Sequence, residues 1–171
     1  MTRRDFFTIL IIPQEGEHLD KNEIYFSNET SETYEFEKEY QSIFNFVLNH
    51  LSKKRVKYIL SLTLVEEEVS KDLNQKFRGK DYIADVISFA YLDEGKEDNL
   101  DFVDLGEIVL CPEEIKRRAE KIGNEFNKEI RYLFIHGILH LLGYDHEKGE
   151  EEKNKMYKLQ DELFELLEEE I

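Results

Sequence analysis

The chain has a single cysteine, Cys111, among 171 residues. One thiol excludes an internal disulfide and is what a reducing cytoplasm predicts. It lies in Ile108-Val109-Leu110-Cys111-Pro112 and reads as a buried strand-end residue rather than a nucleophile or metal ligand. Long apolar runs are also missing. None approaches the ~18 residues that a membrane helix needs, so no membrane partner is expected. Basic residues precede a short apolar run at the amino end, but Asp5 interrupts them and no small-residue cleavage site follows. A first strand over Phe6–Ile12 is therefore expected in place of a signal peptide.

Positive charge is scarce. Lys and Arg number 23 against 39 Asp and Glu, a net charge of −16. Phosphate contacts need Lys and Arg, so general nucleic-acid affinity is disfavoured and no DNA partner is expected. The imbalance is uneven. Residues 13–39 hold nine acids against two bases, and residues 147–171 hold ten against four. Lys71, Lys76, Arg78 and Lys80 cluster in one segment, and Lys116, Arg117, Arg118 and Lys121 in another. A local basic groove would need one of these clusters, although charge alone favours two solvated helix faces.

What is present is a core. With 40% hydrophobic residues, the chain reads as one domain over 1–171, without repeats or linkers. Residues 13–33 are acidic and rich in turn formers and read as a loop or insertion. Helical spacing runs from Tyr34 to Lys54, and β-branched residues mark a central strand at Val56–Val65. A helix over Glu66–Phe77 follows, with a turn at Arg78–Asp81. Strands are expected at Asp85–Leu92 and Leu105–Leu110, with a loop over residues 93–104. Pro112 suits the first turn of the next helix. A helix beginning near Asn127 is apolar nearly all round and should be buried, and Glu150–Glu169 closes the chain. The order predicts an α+β fold: a mixed sheet of about four strands packed with about five helices, a single layer pair with a buried His-bearing helix.

That buried helix carries the chemistry. Three of the five histidines fall within His136-Gly137-Ile138-Leu139-His140-Leu141-Leu142-Gly143-Tyr144-Asp145-His146. His136 and His140, four residues apart, are neighbours on one helix face. Gly143 can end the helix, and His146 lies beyond the turn, able to return to the same ion. Three imidazoles leave a fourth tetrahedral position open, as catalytic zinc sites do. The spacing is that of metzincin proteases, but their general-base Glu after the first His is Gly137 here, and Gly cannot move a proton. Asp145 and Glu147 flank His146; they read as exposed turn carboxylates, with orientation of an imidazole as the alternative.

The same window resembles the signature of the YbeY endoribonucleases, the ribosomal-RNA maturation factors. Leu73-Asn74-Gln75-Lys76-Phe77-Arg78-Gly79-Lys80-Asp81, Asp85-Val86-Ile87-Ser88-Phe89 and Leu105-Gly106-Glu107-Ile108-Val109-Leu110 agree in order and spacing, so the likeness covers roughly residues 56–165. Ala84, Ala90 and Glu107 depart from the usual Thr, Pro and Asp. The resemblance implies a cytoplasmic, metal-dependent endoribonuclease of single-stranded RNA, including ribosomal RNA precursors. It also implies a place in 16S rRNA 3′-end maturation and ribosome quality control, with the small ribosomal subunit or its proteins as partner. By the same resemblance His136, His140 and His146 would ligate one zinc ion per chain, and Arg78 would handle RNA. Arg78 and His136 are then the expected catalytic residues, with Asp85 a candidate helper. Two other readings stay open: a zinc hydrolase of another substrate such as a peptide, and a non-catalytic ribosome-assembly module with a structural metal.

Overall fold

The computed structural model describes residues 22–34, 36–54, 56–91 and 101–171. The expected strand at Phe6–Ile12 lies outside them. Strand β1 spans Glu23–Asn28, α1 Glu37–His50, β2 Lys57–Leu64, α2 Glu67–Arg78, β3 Val86–Ala90, β4 Phe102–Leu110, α3 Pro112–Ile122, α4 Phe126–Leu141 and α5 Glu150–Glu170. The expected mixed sheet and helical cover are thus observed, with four strands and five helices among the described residues.

The sheet order is β1-β2-β4-β3. β1 and β4 both pair with β2 in parallel, and β3 pairs with β4 antiparallel. Strict alternation along β2 sends Tyr58, Leu60, Leu62 and Leu64 into the main core, as a period of two dictates. That core is shared with α1, α4 and α5 and with Ile115 of α3. A smaller cluster of Val65, Ala84, Ile87 and Val109, joined by Leu73 of α2, is separate from it.

β1 corrects the sequence reading, which placed its residues in an acidic loop. Ile24 and Phe26 pack on the core while Glu23, Tyr25 and Ser27 stay exposed. Two apolar side chains among polar neighbours give little periodicity to read, yet they suffice for an edge strand that β2 already templates. Two further boundaries move. β4 begins at Phe102 rather than Leu105, because three residues of the expected loop pair with β2. Helix α2 runs through Arg78 instead of stopping before it. Gly79, at φ 66°, ends the helix, with its N–H donating to the Gln75 carbonyl at 3.0 Å and its missing Cβ making the left-handed turn cheap.

Helix α4 is the hub, in contact with α1, α3, α5, β3 and β4. It rests on the sheet through Gly137. A Cβ built there would lie 2.9 Å from Ile108 Cδ1 and 3.0 Å from Ile108 Cγ2. Ile108 is itself fully buried, so the helix sits as close to β4 as a bare backbone permits. The position that carries Glu in metzincins is therefore filled by a neighbouring strand.

Gly137→Ala should lower stability by about 1 kcal/mol, since overpacking costs ~1–3 kcal/mol and helix propensity returns at most ~1. Ile108→Val removes the Cδ1 methyl and should shrink the loss in a double-mutant cycle of urea unfolding. A stabilised Gly137→Ala would contradict the close approach.

Candidate metal centre

Two imidazoles reach the surface of α4 on one face. His136 and His140 have ring centroids 4.6 Å apart, and their Nε2 atoms face each other at 3.1 Å. The helix then unwinds. Gly143, at φ 97°, donates to the His140 carbonyl at 3.0 Å, and Tyr144 N–H donates to the Leu139 carbonyl at 3.0 Å. This turn brings His146 back, its ring 5.2 Å from His136 and 4.9 Å from His140. One nitrogen from each ring lies within 4.8 Å of the others. Ligands of a tetrahedral zinc at 2.0–2.1 Å stand about 3.4 Å from one another, so the three rings fit one such ion after small adjustments.

Neutral rings are needed for ligation, and the surroundings of His136 and His140 favour them. Burial pushes His140 down to about 4, and positive charge on His136 or His146 would push the same way. Burial also lowers His136, with the hydrogen bond that its Nδ1–H donates to Gln160 offsetting part of the effect.

Gln160 was missed by sequence reasoning. It lies on α5, fully buried, with Oε1 2.9 Å from His136 Nδ1. Its Nε2 donates to the Tyr132 carbonyl at 3.2 Å. An amide held that way must turn its oxygen to the ring, so His136 Nδ1 carries the proton and Nε2 keeps the lone pair. A backbone carbonyl thereby selects the tautomer that can bind a cation. A signal existed: Met156, Gln160, Leu163 and Leu167 share the buried stripe of α5, and a lone amide in an apolar stripe asks for a partner. Tyr157 adds support from the same helix, stacked on His146 at 5.7 Å and 16°.

The centre lies in a cleft of about 360 Å³ whose lining includes Arg78, Ser88, Phe89 and all three histidines. Arg78 is thus brought to the site. Its guanidinium lies 3.8 Å from Glu147 and 3.5 Å from Asn74 Oδ1. Glu147 also faces Lys80 at 4.0 Å, and Asp145 accepts from the Glu147 N–H at 2.8 Å. These two carboxylates therefore serve the turn and the bases; Glu147 is exposed as expected, whereas Asp145 is half-buried, and both line the cleft. Asp85 is engaged elsewhere, accepting from Arg118 at 3.1 Å. Arg118 also binds buried Glu129 at 2.5 Å, Arg117 pairs with Glu67 and Glu114, and Lys116 with Glu32 and Glu113. The second basic cluster is thus largely neutralised by acids.

Residues 23–168 match the family model described as endoribonuclease YbeY. An endoribonuclease YbeY of Bdellovibrio bacteriovorus is 38% identical over 133 residues, covering 74% of this chain and 83% of its own. Another, from Mycoplasmopsis synoviae, is 36% identical over 143 residues, covering 84% and 91%. A solution structure of a Thermotoga maritima protein superposes with a TM-score of 0.58 at 30% identity, covering 85% of this chain and 89% of that one.

Gln160→Leu should leave the fold intact and weaken divalent-metal binding about 10–100-fold, the usual effect of losing a ligand's outer partner; competition with a chelating dye measures it. The pH dependence has a definite sign. His140 titrates near 4 when folded and near 6.5 when unfolded, so the unfolded chain binds more protons between those values. The metal-free protein should lose stability as pH falls from about 6.5 toward 4, and His140→Gln should flatten that part of the curve.

Proposed function

The chain belongs to the endoribonuclease YbeY family, and from that premise we propose a zinc-dependent endoribonuclease that cuts single-stranded RNA in ribosomal RNA precursors. The observation that carries the metal dependence is the convergence of three imidazole nitrogens within 4.8 Å in a cleft that Arg78 also lines. His136, His140 and His146 would hold one zinc ion, which when bound would supply Lewis acidity toward the phosphodiester and lower the pKa of water toward neutrality.

The chain's own residues do the rest. His136 and His140 are biased neutral by burial, so their lone pairs are available at physiological pH. Gln160 fixes the ring of His136. Arg78 ends α2 at the cleft, and its ion pair with Glu147 is long at 3.8 Å. A phosphate can displace that carboxylate and take the guanidinium fork in a shorter, charge-assisted pair. Arg78 then holds the scissile phosphate and steadies the charge that grows on it, while Gly137 leaves no general base beside His136.

A body of net charge −16 attracts RNA poorly, so the choice of substrate passes to a partner. The small ribosomal subunit or its proteins fill that place, which fits a cytoplasmic role in 16S 3′-end maturation and quality control.

Purified protein should cut single-stranded RNA with zinc and stop when a chelator is added. Arg78→Ala should lose roughly 10²-fold in kcat/KM, the order expected for a group aimed at developing charge, while binding one zinc per chain as before. Loss of zinc together with activity would reassign Arg78 to the fold. Because few free cations meet the RNA, log Kd against log salt should have a slope shallower than about 2.

A further inference from the structure

β3 is the outer strand of the sheet, and no described strand pairs with its other edge. The pairing register shows what that edge offers. Cys111 N–H donates to the Asp85 carbonyl at 3.0 Å, and Tyr91 N–H donates to the Leu105 carbonyl at 3.1 Å. With the antiparallel register Ile87↔Val109 and Phe89↔Glu107 between them, the odd-numbered residues bond inward to β4. The even-numbered ones, Val86, Ser88 and Ala90, must point their N–H and C=O groups outward. Val86 N–H is taken by Asp85 Oδ1 at 2.8 Å. Of the outward residues, Val86 and Ser88 both line the cleft with the three histidines, and with the Val86 N–H already taken it is Ser88 whose N–H remains to be offered there.

A second, independent observation falls on the same residue. Ser88 Oγ is buried and has no hydrogen-bond partner among the described residues. Buried hydroxyls are almost always satisfied, and an orphan beside a reaction centre calls for a ligand. Rotation about χ1 moves Oγ between staggered positions, and such a turn would aim the hydroxyl at an incoming acceptor.

Resting on the endoribonuclease reading above, we propose that Ser88 at the free edge of β3 is a phosphate subsite, its backbone N–H and Oγ–H donating to a non-bridging oxygen of the RNA backbone. Neutral donors suit this acidic chain. Its nearby bases, Arg78 and Lys80, both lean on Glu147, whereas an N–H and a hydroxyl bind an anion without adding charge to the free protein. The oxygen they hold is close to the histidines, where negative charge grows during cleavage, so the contact acts on the transition state more than on resting RNA.

Four variants test this. Ser88→Ala removes the hydroxyl. Ser88→Pro removes the outward N–H together with the hydroxyl, without costing a ladder bond, because that N–H has no partner among the described residues. Ser88→Thr keeps both donors. Ala90→Pro removes an outward N–H outside the cleft and is the control for proline on this strand. The readouts are single-turnover cleavage of a labelled single-stranded RNA, anisotropy of the same RNA on metal-free protein in chelator, zinc affinity by dye competition, and thermal unfolding.

We expect Ser88→Ala to lower kcat/KM about 10-fold and Ser88→Pro about 10²–10³-fold, mostly in kcat, with weaker RNA binding to the metal-free protein. Zinc affinity should be unchanged, and Ser88→Thr and Ala90→Pro should behave as wild type. Wild-type cleavage by both Ser88→Ala and Ser88→Pro overturns the subsite. If Ser88→Pro fails to fold, Ser88→Ala against Ser88→Thr decides: equal rates overturn it, and a loss restored by Thr supports it. Loss of casein cleavage in Ser88→Pro with RNA cleavage intact would assign the edge to peptides and overturn it too. A wild-type protein that cuts no RNA with zinc brings down the endoribonuclease reading itself, and is seen before any variant is compared.

Discussion

Helix α4 must be buried on nearly every side and still present two imidazoles to a cleft. The contact between Gly137 and Ile108 resolves that conflict. Without a Cβ at residue 137, the helix settles onto β4 until only side chains of the strand separate them. Apolar residues such as Leu133, Phe134, Ile138 and Leu139 then close the core, and the His136–His140 face is left as the one that opens to the cleft. The same contact removes the space in which a metallopeptidase would carry its carboxylate base, so the packing that brings the three histidines together also narrows the chemistry open to them.

Polar groups around the centre are arranged to hold geometry rather than to supply charge. A carbonyl of α4 orients an amide of α5, and that amide orients His136. Tyr157 backs the ring of His146. The usual carboxylate partner of a metal-bound imidazole is replaced by a neutral amide, which fixes the tautomer without placing another negative charge in an already acidic protein. Arg78 is held at the cleft mouth by a helix end, with Gly79 ending the helix so that the guanidinium stands beside the turn carrying His146.

Much of this was legible in the sequence because it follows from periodicity. The i, i+4 histidines on an all-apolar helix, the glycine three residues on and the returning third histidine each obey a short-range rule, and the alternation of β2 does likewise. What escaped depends on contacts distant in sequence. β1 has only Ile24 and Phe26 to announce it and exists because β2 offers an edge. Gln160 looks like a solvated polar residue until the stripe of α5 is drawn, and its partner is 24 residues away. The outward face of Ser88 is invisible without the register of β3 on β4. Arg78 was legible as part of a motif at the end of an amphipathic helix, but its place at the cleft beside the turn that carries His146 was not. The fate of the bases on α3, matched by acids from α2, α4 and the β1–α1 segment, is a tertiary outcome that no count of charges reveals.

Convergence of three rings on one cation is the claim on which the rest stands. X-ray absorption spectroscopy of the zinc-loaded protein tests it most directly. The account predicts a first shell of three imidazole nitrogens near ~2.0–2.1 Å and one exchangeable oxygen. A shell containing sulfur, or one with a single imidazole and several waters, would contradict it.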